Sequence, residues 1–180
     1  MFRYRFPASL LAAGAGWVLT VSPAAAQSFA RRATASVQAS ATVVASRMSA
    51  SFLHPLRFEP LTGGRGASVQ PTDASAAAWR LVGNPHDAVL VGFSLPTELT
   101  GSDGAATLPI SFSATSGRLR QDVNQAGGGV TFDPNRGTLG RFTDGPAPSL
   151  YMWIGATVQA PATADRGSYR GTITLTVAYL

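Results

Sequence analysis

Cysteine and lysine are both missing from this 180-residue chain, and histidine occurs only twice. Without cysteine there is no disulfide framework, no thiol nucleophile and no lipid-bearing cysteine behind an export signal. Stability has to come from burial and strand pairing alone. Acids are scarce as well: nine Asp and Glu stand against fourteen basic residues, all of them arginine. That balance invites a nucleic-acid reading, but the arginines are scattered singly, and beyond Arg3 and Arg5 the only close pairs are Arg31-Arg32 and Arg118/Arg120. A nucleic-acid binder clusters its basic residues among exposed aromatics, so the linear distribution argues against that partner.

The N-terminus has the layout of a secretory signal. Arg3 and Arg5 form a basic region, Leu10 to Val21 is apolar but too short to span a bilayer comfortably, and Ala24-Ala25-Ala26 is a small-residue cleavage site. Processing there would leave Gln27 first and 154 residues behind, enough for one domain with a sizeable core. The formal charge of +5 would fall to +3 with the loss of Arg3 and Arg5. No later stretch supplies twenty apolar residues in a row, so no membrane span is expected in the mature chain. The expected organisation is a signal peptide over 1–26, an N-terminal extension over 27–45 and a β domain over 46–180.

No segment sustains a 3.6-residue apolar period between caps; the longest candidate, Ala74 to Leu81, lies between turn residues. Short alternating runs recur instead. Ala33 to Val43 alternates almost without fault, and Leu56 to Leu61, Ala67 to Gln70, Trp79 to Val82, Val89 to Leu95 and Thr107 to Ala114 follow. Val130 to Phe132, Leu150 to Val158 and Tyr169 to Leu180 complete the set. Turn clusters separate them, among them Asn84-Pro85-His86-Asp87, Ser102-Asp103-Gly104, Asp144-Gly145-Pro146 and Asp165-Arg166-Gly167. Many short strands with such punctuation predict an all-β antiparallel sandwich or barrel. Ser113 to Ser149, rich in Gly and Asp, reads mostly as a long surface loop. In the last run, Ile173, Leu175, Val177 and Tyr179 share one face. Such a strand is expected either to pack in its own sheet or to be offered to another chain.

Residues suited to catalysis are few. Gly92-Phe93-Ser94-Leu95-Pro96 keeps only half of a nucleophile elbow, and His54 and His86 sit beside proline or in a turn. Asp87, Asp103, Asp133, Asp144 and Asp165 each belong to a turn cluster, where Asp caps backbone groups. Asp133, Asn135 and Gly137 resemble the start of a calcium loop, but the glycine is one place early and the bidentate Glu is missing. Gly127-Gly128-Gly129 is a loop tip without the strand and helix of a phosphate site. No catalytic residue, metal or cofactor is expected. Tyr151 and Trp153 share one face of a strand, which suits either a ligand platform or ordinary burial.

The two terminal strands resemble those of bacterial chaperone–usher pilus subunits. Tyr179 is penultimate, Gly167 is fourteenth from the end, an alternating strand follows the signal, and Leu56-Arg57-Phe58 looks like an early apolar-x-Phe motif. The wider pattern is similar to a secreted domain family of unknown function related to spore coat U-type pilins. It is carried by Ala41-Thr42-Val43-Val44, Trp79-Arg80-Leu81-Val82-Gly83, Val91 to Pro96, Ile154 to Val158 and Gly167 to Thr172. The resemblance implies an immunoglobulin-like, Greek-key β-sandwich, exported to the periplasm, surface or pilus of a Gram-negative-type bacterium. It also implies a non-enzymatic structural or adhesive subunit that self-associates or meets a periplasmic chaperone and usher. In donor-strand exchange Val37, Val43 and Val44 would act as donor knobs, and Gly167, Ile173, Leu175, Val177 and Tyr179 would form the groove or edge. An Ala-rich first strand equally suits a domain that keeps it. The alternative is a monomeric binding module with Tyr151 and Trp153 as its platform.

Overall fold

The computed structural model describes residues 34–43 and 48–180, and every regular element among them is a β-strand. In chain order these are β1 (Thr34–Val43), β2 (Ser49–His54), β3 (Leu56–Arg57), β4 (Gly66–Val69) and β5 (Ala77–Val82). Then come β6 (Ala88–Ser94), β7 (Glu98–Gly101), β8 (Thr107–Ser111), β9 (Gly117–Gln121) and β10 (Val130–Phe132). β11 (Thr138–Arg141), β12 (Ser149–Ile154), β13 (Ala156–Gln159) and β14 (Ser168–Tyr179) complete the described set. They form a β-sandwich. One sheet has the order β10-β9-β12-β5-β2; the other, of nine strands, runs β11-β6-β14-β7-β8-β13-β4 and also holds β1 and β3.

β14 is the axis of the larger sheet. Residues 174–177 pair with both β1 and β6, and residues 169–170 with both β1 and β7, so β1 must occupy the edge opposite to β6 and β7. Its alternation places Tyr169, Ile173, Leu175 and Val177 in the core, each at most 1% exposed. The opposing sheet contributes Trp79, Leu81, Leu150, Met152 and Ile154, all fully buried. Aromatic rings bridge the layers: Trp79 lies 5.8 Å from Phe93, which stacks on Phe132 at 5.8 Å. Such contacts add to area burial through ring geometry.

The Ala-rich stretch over 74–81 is strand from Ala77 onward. β5 lies between β12 and β2, and Ala77, Ala78, Trp79 and Leu81 are all buried. Its first three residues are buried in succession, so this end of the strand reads as a continuous apolar run, which obscures its two-residue period. Ser113 to Ser149 also differs from the sequence expectation, because besides β10, which coincides with the run over Val130 to Phe132, it contains β9 and β11. Their inward positions include glycines filled from elsewhere. A Cβ on Gly117 would lie 2.6 Å from the Phe132 ring, and one on Gly140 would lie 2.7 Å from Leu150 Cδ1.

The chain changes sheets at single residues. β2 gives way to β3 at Pro55, which has no N–H to donate to a ladder. β12 gives way to β13 at Gly155, whose N–H donates to the Ser116 carbonyl at 2.8 Å. A Cβ there would run into the Val69 carbonyl oxygen and lie 2.9 Å from the Pro71 nitrogen. Asp122 secures another junction. Its N–H donates to the Ser149 carbonyl, the Ser149 N–H donates back to Asp122 Oδ1 (2.8 Å each), and the Thr143 hydroxyl donates to the other carboxylate oxygen. Asp122 takes a left-handed φ of 54°, a conformation that Asp and Asn tolerate better than most residues.

Two outcomes follow from these junctions. Gly155→Ala is expected to lower unfolding stability by about 3 kcal/mol, because backbone atoms cannot yield to the added methyl. Gly92→Ala, with nothing within 4 Å of its Cβ, should stay within about 1 kcal/mol of the parent; equal denaturation midpoints for the two variants would refute the corner assignment. The Ser149 N–H, then the Thr143 hydroxyl, hold the Asp122 carboxyl below its ordinary value of 3.8. A depressed folded-state value gives stability that is present above pH 3.8 and is lost as pH falls below it. Asp122→Asn should therefore flatten the acid limb of melting temperature against pH, and superimposable limbs would show that the clamp contributes nothing.

Candidate functional site

Of the residues expected to serve assembly, Val37, Val43, Ile173, Leu175 and Val177 lie along one seam. β1 runs parallel to β14 for ten residues, from Thr34 opposite Ser168 to Val43 opposite Val177, and antiparallel to β3 through Ser36 and Val37. The other strand pairings among the described residues are antiparallel. Val37 is 1% exposed and belongs to the core, with Gly171 and Leu56 as its strand partners. Val43 ends the ladder, and Val44 lies outside the described residues.

On the β14 side, Ile173, Leu175 and Val177 are fully buried, whereas Tyr179 is half-buried and its hydroxyl has no hydrogen-bond partner. Gly167 immediately precedes β14, and a Cβ there would meet nothing closer than Ser102 Oγ at 3.9 Å. The glycine that matters sterically is Gly171, where a Cβ would lie 2.7 Å from Leu99 Cδ2. Tyr169 was also missed as a special residue. Its hydroxyl donates to the Asp165 carbonyl at 2.6 Å, which ties the start of β14 to the preceding loop. Burial, and then the charges of Asp165 and Asp103, raise its pKa.

Tyr151 and Trp153 come together on the outer face of the five-stranded sheet, with ring centroids 6.1 Å apart and planes 20° apart. Trp153 is only 5% exposed. Tyr151 is half-buried, and the Arg80 guanidinium lies over its ring at 5.8 Å. The strand register puts Arg120 and Arg80 on either side of Tyr151, and Arg118 and Ala78 on either side of Trp153. The pair is therefore flanked by three guanidinium groups, which sequence spacing alone did not suggest.

The remaining polar residues are spread apart. His86 pairs with Asp144 at 2.8 Å, both exposed, while Asp87 accepts from Asn84 at 2.9 Å. His54 is in the bulged end of β2, with Nδ1 buried and unpartnered. Asp133 accepts from the Asn135 side chain and backbone, the two bonds that chiefly lower its pKa, with Arg136 a smaller contribution. Among the described residues no three His, Asp or Glu side chains are placed to hold a metal ion, and no helix is long and apolar enough to cross a membrane. One cleft of about 480 Å³ is lined by Leu61, Leu108, Ala160 and Tyr169, and another of about 470 Å³ by Arg120, Val130, Leu139 and Arg141.

The family model described as a domain of unknown function (DUF4402) matches residues 19–179. Comparison with curated proteins gives no match.

Proposed function

We propose that this chain, which belongs to the DUF4402 domain family of unknown function, is an exported, non-enzymatic subunit of pilin type whose first strand can be exchanged between copies. The observation that carries this reading is the position of β1 between β14 and β3. It completes the sheet from the N-terminal side, and without it the edge of β14 over residues 168–177 and the short β3 would lose their partners. Unpaired edges attract another strand. The β1–β14 ladder is also parallel, and parallel pairing is slightly weaker per residue than antiparallel pairing. A strand from a second copy that entered antiparallel would therefore compete on favourable terms.

In this reading Val37 is the principal donor knob, Val43 and Val44 follow it, and Ile173, Leu175 and Val177 form the receiving wall. The closed form, with β1 in its own sheet, is the resting subunit. A second copy, or a periplasmic chaperone and usher, supplies the competing strand. The tyrosine hydroxyl bound to a carbonyl four residues upstream, at the start of β14, supports an immunoglobulin-like Greek-key arrangement, because sandwiches of that type use such a corner. Residues 1–26 would direct export. A monomeric binding module is the second reading, favoured by the aromatic pair and its flanking arginines on the other sheet.

The full chain exported to a bacterial periplasm should give a detergent-resistant ladder on an unheated gel that collapses to one band on heating. A variant lacking residues 34–43 should give no ladder and should regain stability when a peptide of that sequence is added. A single band for the full chain at every concentration, with the amides of 34–43 protected in the monomer, would sink the assembly reading and leave the binding module.

A further inference from the structure

We infer that the outer face of the five-stranded sheet binds an acidic polysaccharide through the carboxylates of its uronate residues. The face belongs to the sheet that does not contain β1, so the inference stands whether or not strands are exchanged. Its charge is of one sign. The sequences of β2, β5, β9, β10 and β12 contain Arg80, Arg118 and Arg120 and no acid. All nine carboxylate side chains of the protein lie within residues 48–180, and none forms an ion pair with these three arginines.

The guanidinium groups are held in place and still have donors to offer. Arg118 Nη1 donates to the Gly129 carbonyl at 2.9 Å, and Arg120 Nη1 donates to the carbonyls of Gln125 and Gly127. Arg80 lies over Tyr151, and its Nε is buried without a partner. Each guanidinium carries five N–H groups in a planar fork that suits a carboxylate, so most of that capacity remains unused. Arg80 and Arg120 stand two strand spacings apart, about 10 Å, with Arg118 about 7 Å along β9 from Arg120. Three like charges over an aromatic floor, without an internal counter-ion, are complementary to a row of anions.

Three kinds of anion fit that charge, and the geometry favours one. An acidic peptide gains affinity mainly by backbone pairing at a sheet edge, but β9, β12 and β5 each have both edges occupied within the sheet. Its carboxylates would also arrive on flexible stems whose ordering costs entropy. A phosphate headgroup supplies charge and no ring. A uronate residue fixes its carboxylate to a rigid ring that also has an apolar face and hydroxyls. The ring can lie against the Arg stems and the Tyr151 edge while its hydroxyls meet the Tyr151 phenol.

Calorimetric titration of the full chain at low salt with polygalacturonate tests this. Binding is expected, with loss on full methyl esterification and at least about tenfold weaker binding to polyglutamate of matched charge, for want of the ring contact. Arg80→Gln with Arg120→Gln should weaken it at least about tenfold, whereas Arg65→Gln with Arg170→Gln, both exposed and on the other sheet or its loops, should change it little. Arginine-selective labelling of the unaltered chain gives a second measurement that does not depend on a variant folding: polygalacturonate should protect Arg80, Arg118 and Arg120 and leave Arg65 and Arg170 reactive. No binding, equal affinity for polyglutamate, equal loss in the control pair or uniform protection would each overturn the assignment.

Discussion

β14 receives a partner on each edge along most of its length, and the larger sheet is organised by that double pairing. A chain without cysteine has no covalent staple to lean on, so a central strand with a buried alternating face has to supply the continuity. The two edges are unequal. On one, β6 and β7 form antiparallel ladders that adjoin each other in sequence; on the other, β1 forms a parallel ladder closed from the far end of the chain. The parallel edge is slightly weaker per residue, although its ten-residue ladder is longer than those of β6 and β7, and its strand has to be brought back over the whole domain. In the closed monomer the chain's own β1 fills that seam in parallel, and in the proposed assembly a second copy's β1 would fill it antiparallel.

The second organising feature is how sharply the chain passes between layers. Pro55 and Gly155 each separate strands of opposite sheets with a single residue. Gly155 allows this because its backbone lies against the backbone of residues 69–71, where a side chain has no room. Sheet changes of this kind join the layers mechanically and bring the ends of β4, β8 and β12 together. The Asp122 clamp does similar work with hydrogen bonds, linking the end of β9 to the start of β12 and to Thr143.

Electrostatics separate the two sheets. The carboxylates are concentrated in turns and loops, where many cap neighbouring N–H groups, and only Glu98 lies within a described strand. The arginines of the five-stranded sheet are therefore left facing one another and two aromatic rings. In the linear sequence Arg80 is far from Arg118 and Arg120, and the pattern looks like diffuse positive charge. Strand register alone converts it into a localised cationic face, with Tyr151 between two guanidinium-bearing residues.

How much of this was legible follows from what each residue's neighbours do. The alternating strands declared themselves: β1, β8 and β14 alternate cleanly in sequence and β6 nearly so, and in β6, β8 and β14 one face meets the core while the other is more open to water. β9 and β11 did not, since glycines at their inward positions are covered by Phe132 and Leu150 from other strands. β5 started earlier than its pattern suggested because Ala77, Ala78 and Trp79 are buried in succession, which hides the alternation there. Tyr151 and Trp153 could be placed on one face from their spacing, but the stacking, the burial of Trp153 and the arginines around them could not. By itself, the sequence determined an all-β chain without disulfides and with apolar-faced terminal strands, since local periodicity and composition are properties of neighbours along the chain. Only the tertiary structure decided that β1 lies parallel to β14 and that three arginines share one face, because partner choice and register depend on contacts between residues distant in sequence.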